Sequence, residues 1–63
     1  MKTLIRRNED WEIIKEYDFL FSMNRDDIIV LGDKEYRVKG CSLEIENDTI
    51  IILIDDIKYY DKY

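Results

Sequence analysis

Sixty-three residues amount to one small domain, 46% apolar and 40% charged, with no histidine, proline, alanine or glutamine. The single cysteine cannot form an internal disulfide, and one Cys without any His cannot build a structural zinc site. Fifteen acids against ten bases give a net charge of −5, a sign that disfavours phosphate backbones and anionic membrane surfaces.

Thr3–Arg7 is the first predicted strand, placed at a sheet edge. Residues 8–22 carry two patterns. Asn8 followed by Glu9, Asp10 and Glu12 has the form of a helix start, and Ile13, Tyr17, Leu20 and Phe21 recur at helical spacing. Against that, apolar and polar residues alternate through Trp11–Ile13 and Tyr17–Phe21. Strand is preferred over residues 11–21, with a helix over about residues 9–22, packed on a β-meander, as the alternative. Trp11, Tyr17, Phe19 and Phe21 are expected to supply core bulk.

Ile28–Leu31 and Tyr36–Lys39 form a predicted hairpin. A four-residue loop pairs Leu31 with Tyr36 and Ile29 with Val38, so four apolar side chains share a face. A two-residue Gly32-Asp33 turn pairs Ile29 with Tyr36 and leaves Leu31 opposite Lys34. The longer loop is preferred for its consistent face. A second hairpin follows, with Asn47-Asp48 as a two-residue turn between Cys41–Glu46 and Thr49–Ile54. It pairs Glu46 with Thr49, Ile45 with Ile50, Leu43 with Ile52 and Cys41 with Ile54. Cys41, Leu43, Ile45, Ile50, Ile52 and Ile54 then line one apolar face, and Cys41 is read as a core residue. Ile51 and Leu53 are apolar on the other face as well, which makes Thr49–Ile54 a central strand or one covered on both sides.

The two hairpins share a long strand through Gly40. Tyr36 and Val38 differ in parity from Cys41, Leu43 and Ile45, so a bulge or bend is expected between Val38 and Cys41. Residues 55–60 are expected to form a short turn and a last strand.

Eleven isoleucines, two valines and two threonines, together with eight aromatics, fit a pleated and half-buried surface, and alanine is absent. The predicted fold is therefore all-β: a small five-stranded antiparallel barrel or meander, one domain over residues 1–63. The 27–54 segment resembles the strand–turn–strand rhythm of SH3-like and Sm-like small barrels, carried by Ile28–Leu31, Tyr36–Lys39, Gly40 and the Leu43–Leu53 hairpin. Residues favoured by A+T-rich codons outnumber the opposite group by 29 to 6 (Phe, Tyr, Met, Ile, Asn, Lys against Gly, Ala, Arg, Pro). That composition points to a low-G+C bacterium or one of its phages or mobile elements.

Catalytic inventory is thin. Without histidine there is no Ser-His or Cys-His relay. Asp26-Asp27 and Asp55-Asp56 lack the spacing of a calcium loop, and neither glycine lies in a phosphate-binding pattern. No catalytic residue, cofactor or metal is assigned. No run of 18 apolar residues occurs and the N-terminus lacks a signal-peptide core, so the expected location is the cytoplasm. Tyr59, Tyr60 and Tyr63 crowd the polar C-terminal end and are the candidate protein interface. The leading expectation is a non-catalytic acidic module that binds and modulates a host protein. The alternatives are a homo-oligomeric assembly protein and a small nucleic-acid-binding barrel, the last disfavoured by charge.

Overall fold

The structure, a computed structural model, describes residues 1–57. It is all-β, with five strands: β1 Lys2–Arg7, β2 Ile13–Tyr17, β3 Ile28–Leu31, β4 Lys34–Glu44 and β5 Thr49–Asp56. They form a single curled sheet, a half-barrel, in the order β2-β1-β5-β4-β3. Among the described residues there is no helix, so residues 9–22 hold β2 and its flanking loops.

Chain direction alternates from each strand to the next. Five alternating strands cannot close antiparallel all the way round, because an odd count leaves one like-directed pair. That pair is β1 with β5, which run parallel from Lys2↔Thr49 to Arg7↔Ile54. The antiparallel expectation is corrected at this seam, while β1–β2, β3–β4 and β4–β5 are antiparallel. The ring opens instead between β2 and β3. β1 is therefore an interior strand rather than an edge, and β5 is central as predicted.

β4 runs unbroken from one hairpin into the other, and its register against β5 slips by one residue between Val38 and Gly40. This is the predicted parity change. It puts Tyr36 and Val38 on the same concave face as Cys41 and Leu43. An alanine Cβ at Gly40 would meet nothing within 4 Å, so the bulge does not depend on the missing side chain.

Both turns differ from expectation. The first hairpin uses the two-residue Gly32-Asp33 turn, pairing Ile29 with Tyr36 and Leu31 with Lys34. Gly32 has φ +65°, the positive value that a type II′ turn requires at its first central residue. Lys34 is exposed at the strand end, so its charge opposite Leu31 stays in water. The second hairpin has a four-residue loop, Ile45 to Asp48, with Leu43↔Ile50 and Cys41↔Ile52. Asp48 adopts φ +47° and its N–H donates to Ile45 O at 3.3 Å. The predicted partners are thus displaced by two residues, which leaves Cys41–Glu44 and Thr49–Ile54 on their predicted faces, while Ile45 and Glu46 move into the loop. β5 also continues through Asp55 and Asp56, which stand opposite Arg37 and Tyr36, in place of the turn expected there, and most of the last strand expected after it lies outside the described residues.

Ile5, Tyr36, Val38, Ile52 and Ile54 form the buried core on the concave face. Ile14, Tyr17, Phe21, Met23, Ile29, Leu31 and Ile50 pack around them. Cys41, Leu43 and Ile45 were expected here and are exposed instead. They lie beyond the reach of β3, which pairs with β4 only over Lys34–Arg37. Trp11 is also outside the core: it sits in the β1–β2 loop at φ +63°, 55% exposed, beneath the Arg6 guanidinium at 5.7 Å.

Candidate functional site

The opening between β2 and β3 is one place where the fold leaves apolar surface uncovered. Residues 18–27 cross it, and their aromatic side chains gather at its mouth. Tyr17, Phe19 and Phe21 make a three-ring cluster, with centroids 5.4 to 5.6 Å apart and planes inclined at 38° to 74°. These separations are those of favourable aromatic pairs. Tyr17 comes from the end of β2, and the other two follow it at alternate positions. With Met23 and Ile29, Val30 and Leu31 of β3 they line an apolar cleft of about 400 Å³. That volume suits a few side chains of a ligand.

One buried hydroxyl holds this loop. Thr3 is fully buried on the concave face of β1. Its Oγ1 donates to the Phe19 carbonyl at 2.6 Å and accepts the Phe21 N–H at 3.2 Å. Two backbone groups that no strand partner reaches are thereby satisfied. The 17, 19, 21 alternation is therefore that of an anchored loop, not of a longer strand. Phe21 packs on the core, but Phe19 is 57% exposed and corrects the expectation that it is core bulk. Further along, Asn24 N–H donates to the Asp27 carboxylate at 2.9 Å, and Asp26 takes φ +73°, closing the loop into β3.

A second hollow, about 550 Å³, lies among Asn8, Glu9, Arg37, Lys39, Asp55, Asp56 and Ile57. Its two cations face three carboxylates, so it concentrates no single sign of charge. Near its rim Arg7 reaches Asp10 at 3.5 Å and Glu12 at 3.2 Å. Desolvation pulls the Arg7 pKa down, but the charges of Asp10, Asp56 and Glu12 outweigh it and raise the value above the ordinary one. The Nε atoms of both Arg6 and Arg7 are buried within the sheet. Among the described residues, no three His, Cys, Asp or Glu side chains are grouped to hold a metal ion.

No protein family matches the chain, and no curated protein or solved structure matches it either. Function must be argued from the cleft itself. Tyr59, Tyr60 and Tyr63, the candidate interface of the sequence, lie outside the described residues. The aromatic residues of the cleft were visible in the sequence but assigned to the core. A signal that could have separated them is the strand count, since an odd number of alternating strands implies either a parallel seam or an open one. Among the described residues no helix is long and apolar enough to cross a membrane.

Proposed function

We propose that the protein is a non-catalytic binding module whose β2–β3 cleft takes apolar side chains from a segment of a partner protein. The observation that carries this is the Tyr17–Phe19–Phe21 cluster, held by a buried hydroxyl and yet open at Phe19. A solvent-facing aromatic fixed in place loses little conformational freedom on binding, which favours recognition. Aromatic side chains are enriched where proteins meet.

Charge narrows the partner. The chain carries −5 overall, and Asp18 is exposed next to the cleft-lining Phe19, while Lys15 over the Tyr17 ring and Lys34 opposite Leu31 are the cations nearest the cleft. A segment with apolar residues flanked by Lys or Arg is the complement. Modulation of a host protein by a phage or mobile element of an A+T-rich bacterium is the setting this composition supports. Kinship with SH3-like or Sm-like barrels draws on the strand rhythm of residues 27–54, and the parallel β1–β5 seam weighs against it.

The test is a comparison of the wild-type protein with the Phe19→Asp variant as baits in a low-G+C bacterial lysate at low salt. The expected result is a protein retained by the wild type and lost by the variant, whose bound segment is apolar with basic flanks. Identical retention by both baits would refute the assignment. So would tight binding of a single-stranded oligonucleotide that Phe19→Asp abolishes, since that outcome belongs to a base-stacking surface.

A further inference from the structure

β4 is longer than the strand that flanks it. β3 pairs with Lys34–Arg37, and the Asp26 and Asp27 backbones bond to Val38 at 2.8 Å each. Among the described residues, Gly40 to Glu44 of this strand are paired with β5 alone. Its other side presents unpaired backbone groups of the kind that attract a further strand. Natural edges are guarded by lysine, proline, bulges or shortness. Here Lys39 and the bulge stand at one end, and no Lys or Pro follows before Asp48. Instead Cys41 and Leu43 point to the concave face at period two, with Leu43 58% exposed, and Ile45 follows at 78%. The outer edge of β3 is weaker as a template. It is four residues long, and Ile29 and Leu31 are already packed on the core.

We propose that two copies of the chain pair antiparallel along this edge, Gly40–Glu44 against Gly40–Glu44, about a two-fold axis at Ser42. The occupant follows from the arrangement of charge along the strand. Arg37 and Lys39 stand at one end and Glu44 and Glu46 at the other. An antiparallel second copy brings each basic end beside the partner's acidic end. In this register Glu44 faces Gly40 of the partner subunit and lies next to Lys39 of the partner subunit. Cys41 faces Leu43 of the partner subunit, so these two exposed apolar side chains each gain an apolar cross-strand neighbour. No like charges stand directly opposite, the condition under which cross-strand pairs stabilise. A two-fold axis makes the contact self-complementary and closed, so assembly stops at two. Five residues a side make a small interface, which places dissociation in the micromolar range or weaker.

Neither the cleft nor its partner enters this assignment, so the two stand or fall separately. Sedimentation equilibrium of the wild-type protein should show the mass rising from one chain to two between micromolar and millimolar concentration. Leu43→Lys should weaken the dimer at least tenfold. It does so although it lowers the repulsive net charge from −5 to −4, so the loss reports on the edge rather than on overall charge. Its side chain is exposed, and circular dichroism should show an unchanged fold. The register has its own test. Residues directly opposite in an antiparallel pair lie about 4.5–5.5 Å apart, within disulfide range. In a Cys41→Ser background, Ser42→Cys should therefore oxidise to a covalent dimer much faster than Glu46→Cys. A single-chain mass up to millimolar concentration would overturn the proposal. Equal cross-linking of the two cysteine variants would overturn it as well.

Discussion

Thr3→Val tests how the aromatic loop is held. Valine keeps the shape of threonine and removes the hydroxyl that bonds Phe19 O at 2.6 Å and Phe21 N at 3.2 Å. Each bond contributes about 1 kcal/mol net, and leaving its partner unsatisfied costs about 1–3 kcal/mol. Both loop groups are part-buried, so water recovers some of this, and the extra methyl returns up to about 0.8 kcal/mol. A loss of about 1–2 kcal/mol is expected. Against a total of roughly 3–9 kcal/mol for a chain of this length, that is a large share. It corresponds to a fall in Tm of about 4–16 °C. Stability alone would not identify the cause, because Thr3→Ser also loses a buried methyl. Amide exchange at Phe21 separates the two variants. Serine should keep Phe21 protected, whereas valine should bring its exchange close to that of a free loop. A Thr3→Val protein that retains Phe21 protection, or unfolds at the wild-type temperature, would refute the anchoring role.

Other outcomes follow from the same geometry. Ile52 is fully buried in the central strand, so Ile52→Ala should cost about 2–5 kcal/mol, enough to leave much of the population unfolded at 37 °C by circular dichroism. Gly32→Ala places a Cβ at φ +65° and should lose about 1 kcal/mol or more in urea unfolding. Gly40→Ala meets open space and should stay within about 0.5 kcal/mol of wild type, so a loss as large as at Gly32 would contradict the relaxed bulge.

The hairpin faces were legible from the period-two alternation alone, although both loop lengths differ from those expected, and the bulge before Gly40 because parity changes there. The β4–β5 register was not, since a shift of two residues preserves every face and the hydrophobic pattern cannot distinguish the two. In the β3–β4 hairpin, counting apolar faces outweighed Gly32 wrongly, because a lysine at a strand end keeps its charge in water at little cost. Exposure was the hardest property to read. Leu43 and Ile45 share the pattern of core residues, and only the shortness of β3 leaves them uncovered. The cleft was half legible: its aromatic residues were evident, but their backbone anchor, Thr3, lies 16 and 18 positions away in sequence. No local pattern announces such a contact.

The parallel seam also governs the order in which the molecule can assemble. Lys2 meets Thr49 across 47 intervening steps of chain (49 − 2), whereas both antiparallel hairpins preceding β5 close locally. Until β5 arrives, the β1–β2 and β3–β4 units have no strand in common. On a ribosome they emerge first and wait with unfilled edges, and the eight residues of β5 then join them in one step. Folding should therefore be slow for so short a chain, as non-local pairings require. β5 supplied as a separate peptide is the natural reagent for restoring a chain truncated before Thr49.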